Sequence, residues 1–521
     1  MVKRATMLAL AGGVAASTGL HQPHAAELNE SDFLTEMPTV LSASRLAQPL
    51  MDAPSSITVI DRKLIEASGY HSLPDLFRLV PGMYVGQEKG WFQNVSRTLV
   101  ESYSRRMQVL VDGRSIYLPS IGGVRWDAIP LAVDDVERIE VVRGPNAASF
   151  GANAFTGVIN IITRHPDDVR GRLLHLIGGD HGHREAWFRW AGGGDGAGSH
   201  RVTLGRREDG GLVNLRDDER SNVFSYRGDI GLSGGAGLSV QLGYLHGIRG
   251  LGEAGEYADL PRDQDVDSYS AQGIYRRPLS AGHELMAKLS LDNIQTREIV
   301  PFYYPPLVPA GTYYPLDLLS RRWHAEFQVD SEHGERLRTA AGGFMRRDEV
   351  RSAHYYGRDD KLRADSWGAF FHGEWRVAPA WLVNFGTFFE DHELTDGRWS
   401  PRATLHWQPS PNHGIRLGVS RAYRNPVMFE TSADWRLQLF EPDGSPLVLP
   451  SPYNAYAAYI QSTNSMEPES MLSQEIGYLG QWPELGLGLD LRVFKERIDG
   501  YISAECTSSN RRHCQGALPR A

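Results

Sequence analysis

The chain has 521 residues and a formal net charge of −9, so it is too long for one hydrophobic core and gives no electrostatic reason to expect a nucleic-acid partner. Hydrophobic residues make up 41%, too many for a disordered chain, and beyond the N-terminus no apolar run approaches the roughly 18 residues of a membrane helix. With 55 Gly, 21 Tyr, 18 Phe and 12 Trp, and Arg outnumbering Lys 48 to 6, what remains is a large soluble β or α/β protein, or a membrane β-barrel whose alternating strands keep the average hydropathy low.

At the start, Lys3 and Arg4 precede an apolar, small-residue stretch over 5–20, followed by polar residues and Ala25-Ala26. That order of charge, apolar run and small residues is a secretory signal peptide, assigned to 1–26, with a buried N-terminal helix as the alternative. The chain is therefore expected to be exported.

From 37 to about 165, compact apolar runs such as Ser56-Ile57-Thr58-Val59-Ile60 and Gln108-Val109-Leu110-Val111 alternate with helical patches at 61–67 and 72–79. Asp61 is a sound helix cap, and Pro74 suits a helix start while Pro81-Gly82 ends one. A small α/β domain is expected. It holds no Cys and no acid–His cluster, so nothing in it looks catalytic.

After Gly171 the pattern changes to strand-length alternating segments, among them 238–245, 285–294, 367–377, 382–389 and 487–494. Short polar turns (233–237, 378–380) separate many pairs, and long Pro- and Tyr-rich connections (301–315, 440–462) separate others. Alternating tight turns and long loops are the signature of an outer-membrane barrel, and about 15 strands are expected on this periodicity. A soluble sandwich or propeller fits less well, since some 350 residues pass without a repeat period. One Gly-x-Ser-x-Gly match, Gly231-Leu232-Ser233-Gly234-Gly235, falls in a Gly-rich turn with no helix after it, which argues against a nucleophile elbow and an exported β enzyme. Cys506 and Cys514 could close a short loop in an oxidising compartment; metal binding by two isolated cysteines is the weaker reading.

The run Asp135-Val136-Glu137-Arg138-Ile139-Glu140-Val141-Val142-Arg143-Gly144-Pro145 and its continuation from Phe150 to Arg164 closely resemble the plug signature of TonB-dependent outer-membrane receptors. Leu73-Pro74-Asp75-Leu76-Phe77-Arg78-Leu79-Val80-Pro81-Gly82 and Val109-Leu110-Val111-Asp112-Gly113-Arg114 match two further plug motifs in order and spacing. Ser400-Pro401-Arg402, the run from Ser420 to Pro426, Met466-Glu467-Pro468-Glu469 and Gln474-Glu475-Ile476-Gly477-Tyr478 resemble the family's later barrel strands. The resemblance covers about residues 36 to 505. It implies a membrane all-β fold, an antiparallel transmembrane β-barrel with an N-terminal α/β plug, divided as a periplasmic segment 27–44, a plug 45–166 and a barrel 167–521.

The same resemblance implies an energy-dependent importer in the outer membrane of a Gram-negative bacterium, not an enzyme, needing no cofactor and expected to be a monomer. Its partners would be the TonB energy-transducing complex, outer-membrane lipid and a small iron chelate. Glu36, Met37, Pro38, Thr39, Val40, Leu41 and Ser42 lie where the family has its TonB box. A short extended run with Pro38 and β-branched Thr39 and Val40 suits strand addition to a partner's sheet edge, with an edge strand of the plug itself as the alternative. Arg97, Arg143 and Glu475 stand where plug arginines latch onto barrel carboxylates, although Thr98 replaces the Gly that usually follows the first. Each could instead be a solvated lumen charge.

Trp91, Phe92, Tyr117, Arg125, Trp126, Tyr303 and Tyr304 are the candidate ligand-binding residues. Aromatic rings with arginines suit a planar, anionic, aromatic ligand such as a ferric siderophore; for Tyr303 and Tyr304 an interfacial aromatic girdle is the alternative. The resemblance also disfavours haem, since similar haem receptors carry a His in this part of the barrel and none occurs from 425 to 466; cobalamin and carbohydrate stay open. One departure stands out. Family barrels close with 22 strands and end in an aromatic residue, whereas about 15 strands are legible here before Leu518-Pro519-Arg520-Ala521. The expectation is a barrel lacking its last strands, and hence a receptor remnant without transport as the alternative function.

Overall fold

The computed structural model describes residues 39–88, 92–97, 104–194, 198–212, 215–253, 260–303, 305–436, 438–449, 458–462 and 466–502. The proposed signal peptide, Glu36, Met37, Pro38, Trp91, Tyr304, Cys506 and Cys514 lie outside these. The N-terminal domain carries β1 (Thr39–Val40), β2 (Gln48–Pro49), β3 (Ser56–Ile60), β4 (Met83–Glu88), β5 (Phe92–Arg97), β6 (Met107–Val111), β7 (Arg114–Ser115), β8 (Val136–Arg143) and β9 (Gly157–Thr163). Its central sheet runs β3-β8-β9-β6-β7, antiparallel except for the parallel β6–β9 pair. Helix α1 (Arg62–Ser68) starts as the sequence suggests, with the Asp61 carboxylate accepting from the Leu64 amide at 2.8 Å, and ends at left-handed Gly69. The second patch is shorter than expected: α2 (Leu73–Leu76) tightens into a 3₁₀ turn over Phe77–Leu79, and a single turn, α3 (Ala147–Phe150), lies between β8 and β9. The core beneath them is apolar and continuous, with Ile60, Leu76, Phe77, Ile139, Val141, Ile159 and Ile161 almost fully buried.

The wall is built from β10 (Gly171–Gly178), β11 (Arg184–Gly194), β12 (Gly198–Asp209), β13 (Glu219–Gly231), β14 (Gly237–Leu251), β15 (Arg262–Ser280) and β16 (His283–Pro301). After the short β17 (Tyr313–Pro315), which pairs only with the end of β16, it continues with β18 (Leu318–His333), β19 (Leu337–Ser352), β20 (Arg358–Ala378), β21 (Trp381–His392), β22 (Thr395–Ser410) and β23 (His413–Arg424). A separate hairpin of β24 (Asp434–Arg436) and β25 (Ala458–Gln461) precedes β26 (Glu469–Trp482) and β27 (Leu487–Asp499). Apart from β17 and that hairpin, every strand pairs antiparallel with the next, from β10 to β27. That path holds fifteen strands. Among the described residues β10 and β27 share no ladder.

Alternation orients the wall. Along β21, Leu382, Asn384, Phe388, Glu390 and His392 are buried on the concave side, while Trp381 is 41% exposed on the other. The middle of the outward face is apolar: Leu174, Leu204, Leu289, Phe327, Met345, Phe371, Leu417 and Ile476 are all exposed. A sheet that hides polar residues and exposes apolar ones is inside out for water and right for lipid. On β20 the outward Trp367 and Trp375 lie eight residues apart, about 27 Å along the strand, the spacing of two interfacial girdles across a tilted span. No helix among the described residues is long and apolar enough to cross a membrane.

The N-terminal domain sits on the concave side and touches the wall from its first strand to its last. His175 on β10 reaches Asp134 at 2.6 Å, Arg376 on β20 reaches Asp52 at 2.7 Å, and Asp490 on β27 meets Arg143. Beside these polar contacts lie two small apolar clusters, Ala132 with Trp187, Val223 and Leu245, and Ala147 and Phe155 with Ala422 and Met471.

Candidate functional site

The described part of the segment expected to reach an energy-transducing partner, 39–42, is folded back onto the plug. Val40 pairs with Gln48 across the β1–β2 ladder and is buried. The Leu41 and Ser42 amides both donate to one Glu140 carboxylate oxygen at 2.9 Å, and the Ser42 hydroxyl donates to it at 2.6 Å. Asn146 donates to the Ser42 carbonyl at 2.7 Å. Just beyond, Arg45 pairs with Glu326 of the wall at 2.7 Å and lies 3.8 Å over the Phe370 ring. Thr39, Val40, Leu41 and Ser42 therefore occupy the edge-strand arrangement, held by a charge-assisted clamp on a carboxylate.

The three proposed latch residues do not meet one another. Arg143 pairs with Asp490 on β27 rather than with Glu475. The reason is that Glu475 already lies between two wall guanidiniums, Arg416 at 3.0 Å and Arg492 at 2.7 Å. Arg97 donates to the Thr156 carbonyl at 3.0 Å and faces Glu496 at 3.6 Å; burial lowers its pKa from the usual arginine range. Gly144 is needed at this seam. It has φ +127°, and a Cβ there would meet the Arg492 guanidinium at 2.7 Å.

A second charged network stands above the first. Arg424, fully buried, bonds Glu430 at 2.9 and 3.2 Å and Glu469 at 2.9 and 3.1 Å. Arg106 of the plug reaches Glu469 at 2.7 Å from the other side, and Arg105 reaches Glu430 at 3.2 Å. Glu430 belongs to α5 (Met428–Ser432), which caps the plug loop: the Phe429 amide donates to the Ser120 carbonyl at 2.9 Å.

That cover corrects the ligand reading of the plug loop. Tyr117 is 3% exposed, its hydroxyl donates to the Arg105 carbonyl at 3.0 Å, and burial pushes its pKa up to about 12. Arg125 forks onto Asp127 at 3.1 and 2.8 Å. Burial alone would raise the Asp127 carboxyl, but Arg125 and Arg249 overcome it and hold it down at about 2. Trp126 packs on Phe77 at 5.1 Å in the plug core. All three brace the loop and present nothing to solvent. The Phe92 backbone opens β5, and Tyr303 is half-buried in the outer loop after β16.

The loops on this side meet through rings. α4 (Ala353–Tyr356) brings His354 to Tyr314 (4.7 Å, stacked) and to Trp435, whose indole N–H donates to His354 Nε2. Tyr355 touches Trp435 at 5.3 Å and Phe429 at 5.7 Å, and Tyr313 stacks on Phe440 at 5.9 Å. Burial lowers the His354 pKa from 6.5 to about 4. Because the folded value lies below the unfolded one, this contribution to stability is complete above pH ~6.5 and is lost as pH falls toward 4. The melting temperature should accordingly drop between pH 7.5 and pH 5, and His354→Phe should flatten that dependence; an unchanged slope in the variant would remove His354 as its source.

Two family models match the chain: the TonB-dependent receptor plug domain over residues 49–158 and the TonB-dependent receptor-like β-barrel over 171–515. The chain belongs to the TonB-dependent receptors. Members of this family are outer-membrane receptors and transporters of Gram-negative bacteria, not enzymes. The receptor is 23% identical over 497 residues to the vitamin B12 transporter BtuB of Vibrio vulnificus, covering 92% of this chain and 72% of that one. It is 25% identical over 446 residues to the iron-regulated outer membrane virulence protein of Vibrio cholerae, covering 77% and 62%. In fold it is similar to the ferric enterobactin receptor PfeA of Pseudomonas aeruginosa (TM-score 0.68, 15% identity, 88% of this chain and 73% of that one). The siderophore receptor PirA of the same organism gives a TM-score of 0.63 at 16% identity, covering 85% and 74%. The receptor thus spans between 62% and 74% of the length of these four proteins.

Several working residues of the receptor escaped the sequence reading. Asp490, Arg492, Phe494 and Glu496 recur at a spacing of two, which places them on the lumen face of one strand. That signal was available. Arg106, Arg424, Glu430 and Glu469 carry no such local pattern, since the plug arginine and Glu469 are 363 positions apart.

Proposed function

We propose that this receptor takes up a ferric siderophore across the outer membrane, energised through TonB, with residues 36–42 as the segment the inner-membrane partner engages. The reading of ligand class is supported chiefly by the outer loops, where Tyr313, Tyr314, Tyr355 and Trp435 gather above the plug. Clustered rings favour a ligand with flat aromatic faces such as a catecholate. Haem is a poorer fit, because His354 Nε2 already accepts the Trp435 N–H and its ring is stacked. Cobalamin is the second reading, favoured by the vitamin B12 transporter relatives.

Tryptophan-quenching titrations of the purified chain with ferric enterobactin, cyanocobalamin and haemin separate these. Saturable binding of ferric enterobactin alone is the expected result. A haem Soret shift lost in His354→Ala, or tight binding of cyanocobalamin alone, would overturn the siderophore assignment and leave the receptor family untouched.

A further inference from the structure

A cavity of about 900 Å³ lies between plug and wall. Gly194, Gly198, Gly231 and Gly237 line one end of it, at the short β11–β12 and β13–β14 turns that face the periplasm in such barrels. Leu41 and Arg45 border its side, so the segment proposed to meet TonB forms part of its boundary. At mid-lumen the cavity is bounded by Gly113 and Ser115. A void of about 20 Å³ begins beyond them, between Arg114, Ile116, Tyr117 and the wall, and Arg322 borders both spaces. What separates the two is the β6–β7 hairpin.

The tip of this hairpin is less firmly held than the sheet it ends. β6 is fixed, with Val109 and Val111 buried in the plug core and a parallel ladder to β9 along its length. β7 adds only the Leu110–Ser115 and Val111–Arg114 pairs and is the edge of its sheet among the described residues. From Asp112 to Ser115 the chain carries no apolar side chain, so polar contacts hold the tip. Gln272 donates to the Asp112 carbonyl at 3.0 Å, and Lys288 to the Gly113 carbonyl at 3.1 Å. Arg114 pairs with Asp292, and Arg322 donates to the Ser115 hydroxyl at 3.2 Å. Such bonds can be exchanged for water in a polar lumen at small net cost, unlike the buried apolar contacts behind them. Lys288 also shares Glu326 with Arg45, at 3.1 and 2.7 Å. One wall carboxylate thus connects a tie of the hairpin to the strand that a pull on the N-terminal segment would displace.

We propose that residues 112–115 are the gate of a passage between plug and wall beside β15, β16 and β18. The proposal rests on the uptake reading above. When the tip swings away from Gln272, Lys288, Asp292 and Arg322, void and cavity join, and the solute crosses beside a plug whose core stays seated. Loss of Arg45 from Glu326 leaves that carboxylate to Lys288 alone and draws the ammonium off the Gly113 carbonyl, which is how a pull on the N-terminal segment reaches the gate.

In the full chain with Cys506→Ser and Cys514→Ser, Arg114→Cys with Asp292→Cys would be bridged by a short reducible bis-thiol reagent, locking the hairpin to β16. Asp134→Cys with His175→Cys, at a seam contact of 2.6 Å on β10, makes a lock away from the hairpin. Under the first lock uptake of ferric enterobactin should fall at least about tenfold and return on reduction, with its binding unchanged; under the second it should stay within about twofold of the unlocked chain. Loss under both locks would mean that the plug moves as a whole, and loss under neither that the hairpin stays still; either result overturns the gate. Hydrogen exchange on the purified chain gives a reading that needs no transport. Amides of 112–117 should exchange at least about tenfold faster than those of 137–142 in β8, and the first lock should slow them at least about tenfold. Equal protection of the two segments, or exchange that the lock leaves unchanged, also overturns the gate. An unlocked chain that binds ferric enterobactin without taking it up counts against the uptake reading, and exchange then decides the gate.

Discussion

Deleting residues 36–44 should reduce uptake of a ferric siderophore to background while leaving its affinity for the receptor within about a factor of three. Its described part, 39–44, is held by Glu140, Asn146 and Ser149 and touches none of the rings of the outer loops, so its loss should remove coupling and not ligand contacts. One local consequence follows from the clamp. Glu140 would lose the Leu41 and Ser42 donors and keep Arg138 at 2.9 Å, so the buried carboxylate stays paired and the plug should stay folded. The check pairs an uptake assay under iron limitation with a binding titration on the same variant. Uptake that survives the deletion would remove the coupling role of this segment.

Glu469→Ala should be among the most destabilising single substitutions in the chain. Glu469 is fully buried, holds Arg106 and Arg424, and accepts the Ile502 amide at 2.7 Å. Removing one partner from a buried ionic network leaves the other uncompensated and costs about 3–5 kcal/mol. The exposed Glu467 makes the comparison, since its pair with Arg398 is mostly in water; Glu467→Ala should fall within about 1 kcal/mol of wild type. Chemical denaturation of the two variants side by side reads the difference. A loss in Glu469→Ala no larger than in Glu467→Ala would mean that the network does not hold plug to wall.

Much of the architecture was legible in the chain because its period was simple. Strands of alternating character announced the wall, the 238–245 and 382–389 segments among them, and the count of about 15 strands agrees with the ladder path from β10 to β27. The plug motifs also read directly, since Asp61, Gly144 and Pro74 act through local backbone geometry. The site was harder because its contacts are long-range. Nothing near Tyr117, Arg125 or Trp126 shows that α5, some 300 residues later, lies on the same loop. Exposed-looking aromatics and a charged loop were therefore assigned to ligand when they brace the plug. The latch is a different case: Arg143 and Arg97 do meet wall carboxylates, Asp490 and Glu496. The positions lie along the seam, but pairing depends on which carboxylate is still unclaimed, and Arg416 and Arg492 had already taken Glu475.

The central claim is that this plug-and-wall receptor moves a ferric siderophore only when energised from the inner membrane. Iron-starved cells whose sole receptor is this chain, supplied with radiolabelled ferric enterobactin, test it most directly. Accumulation should depend on both the chain and a working TonB, and without TonB the label should stay bound at the surface and exchange with unlabelled chelate. Equal accumulation in cells lacking TonB would contradict the account.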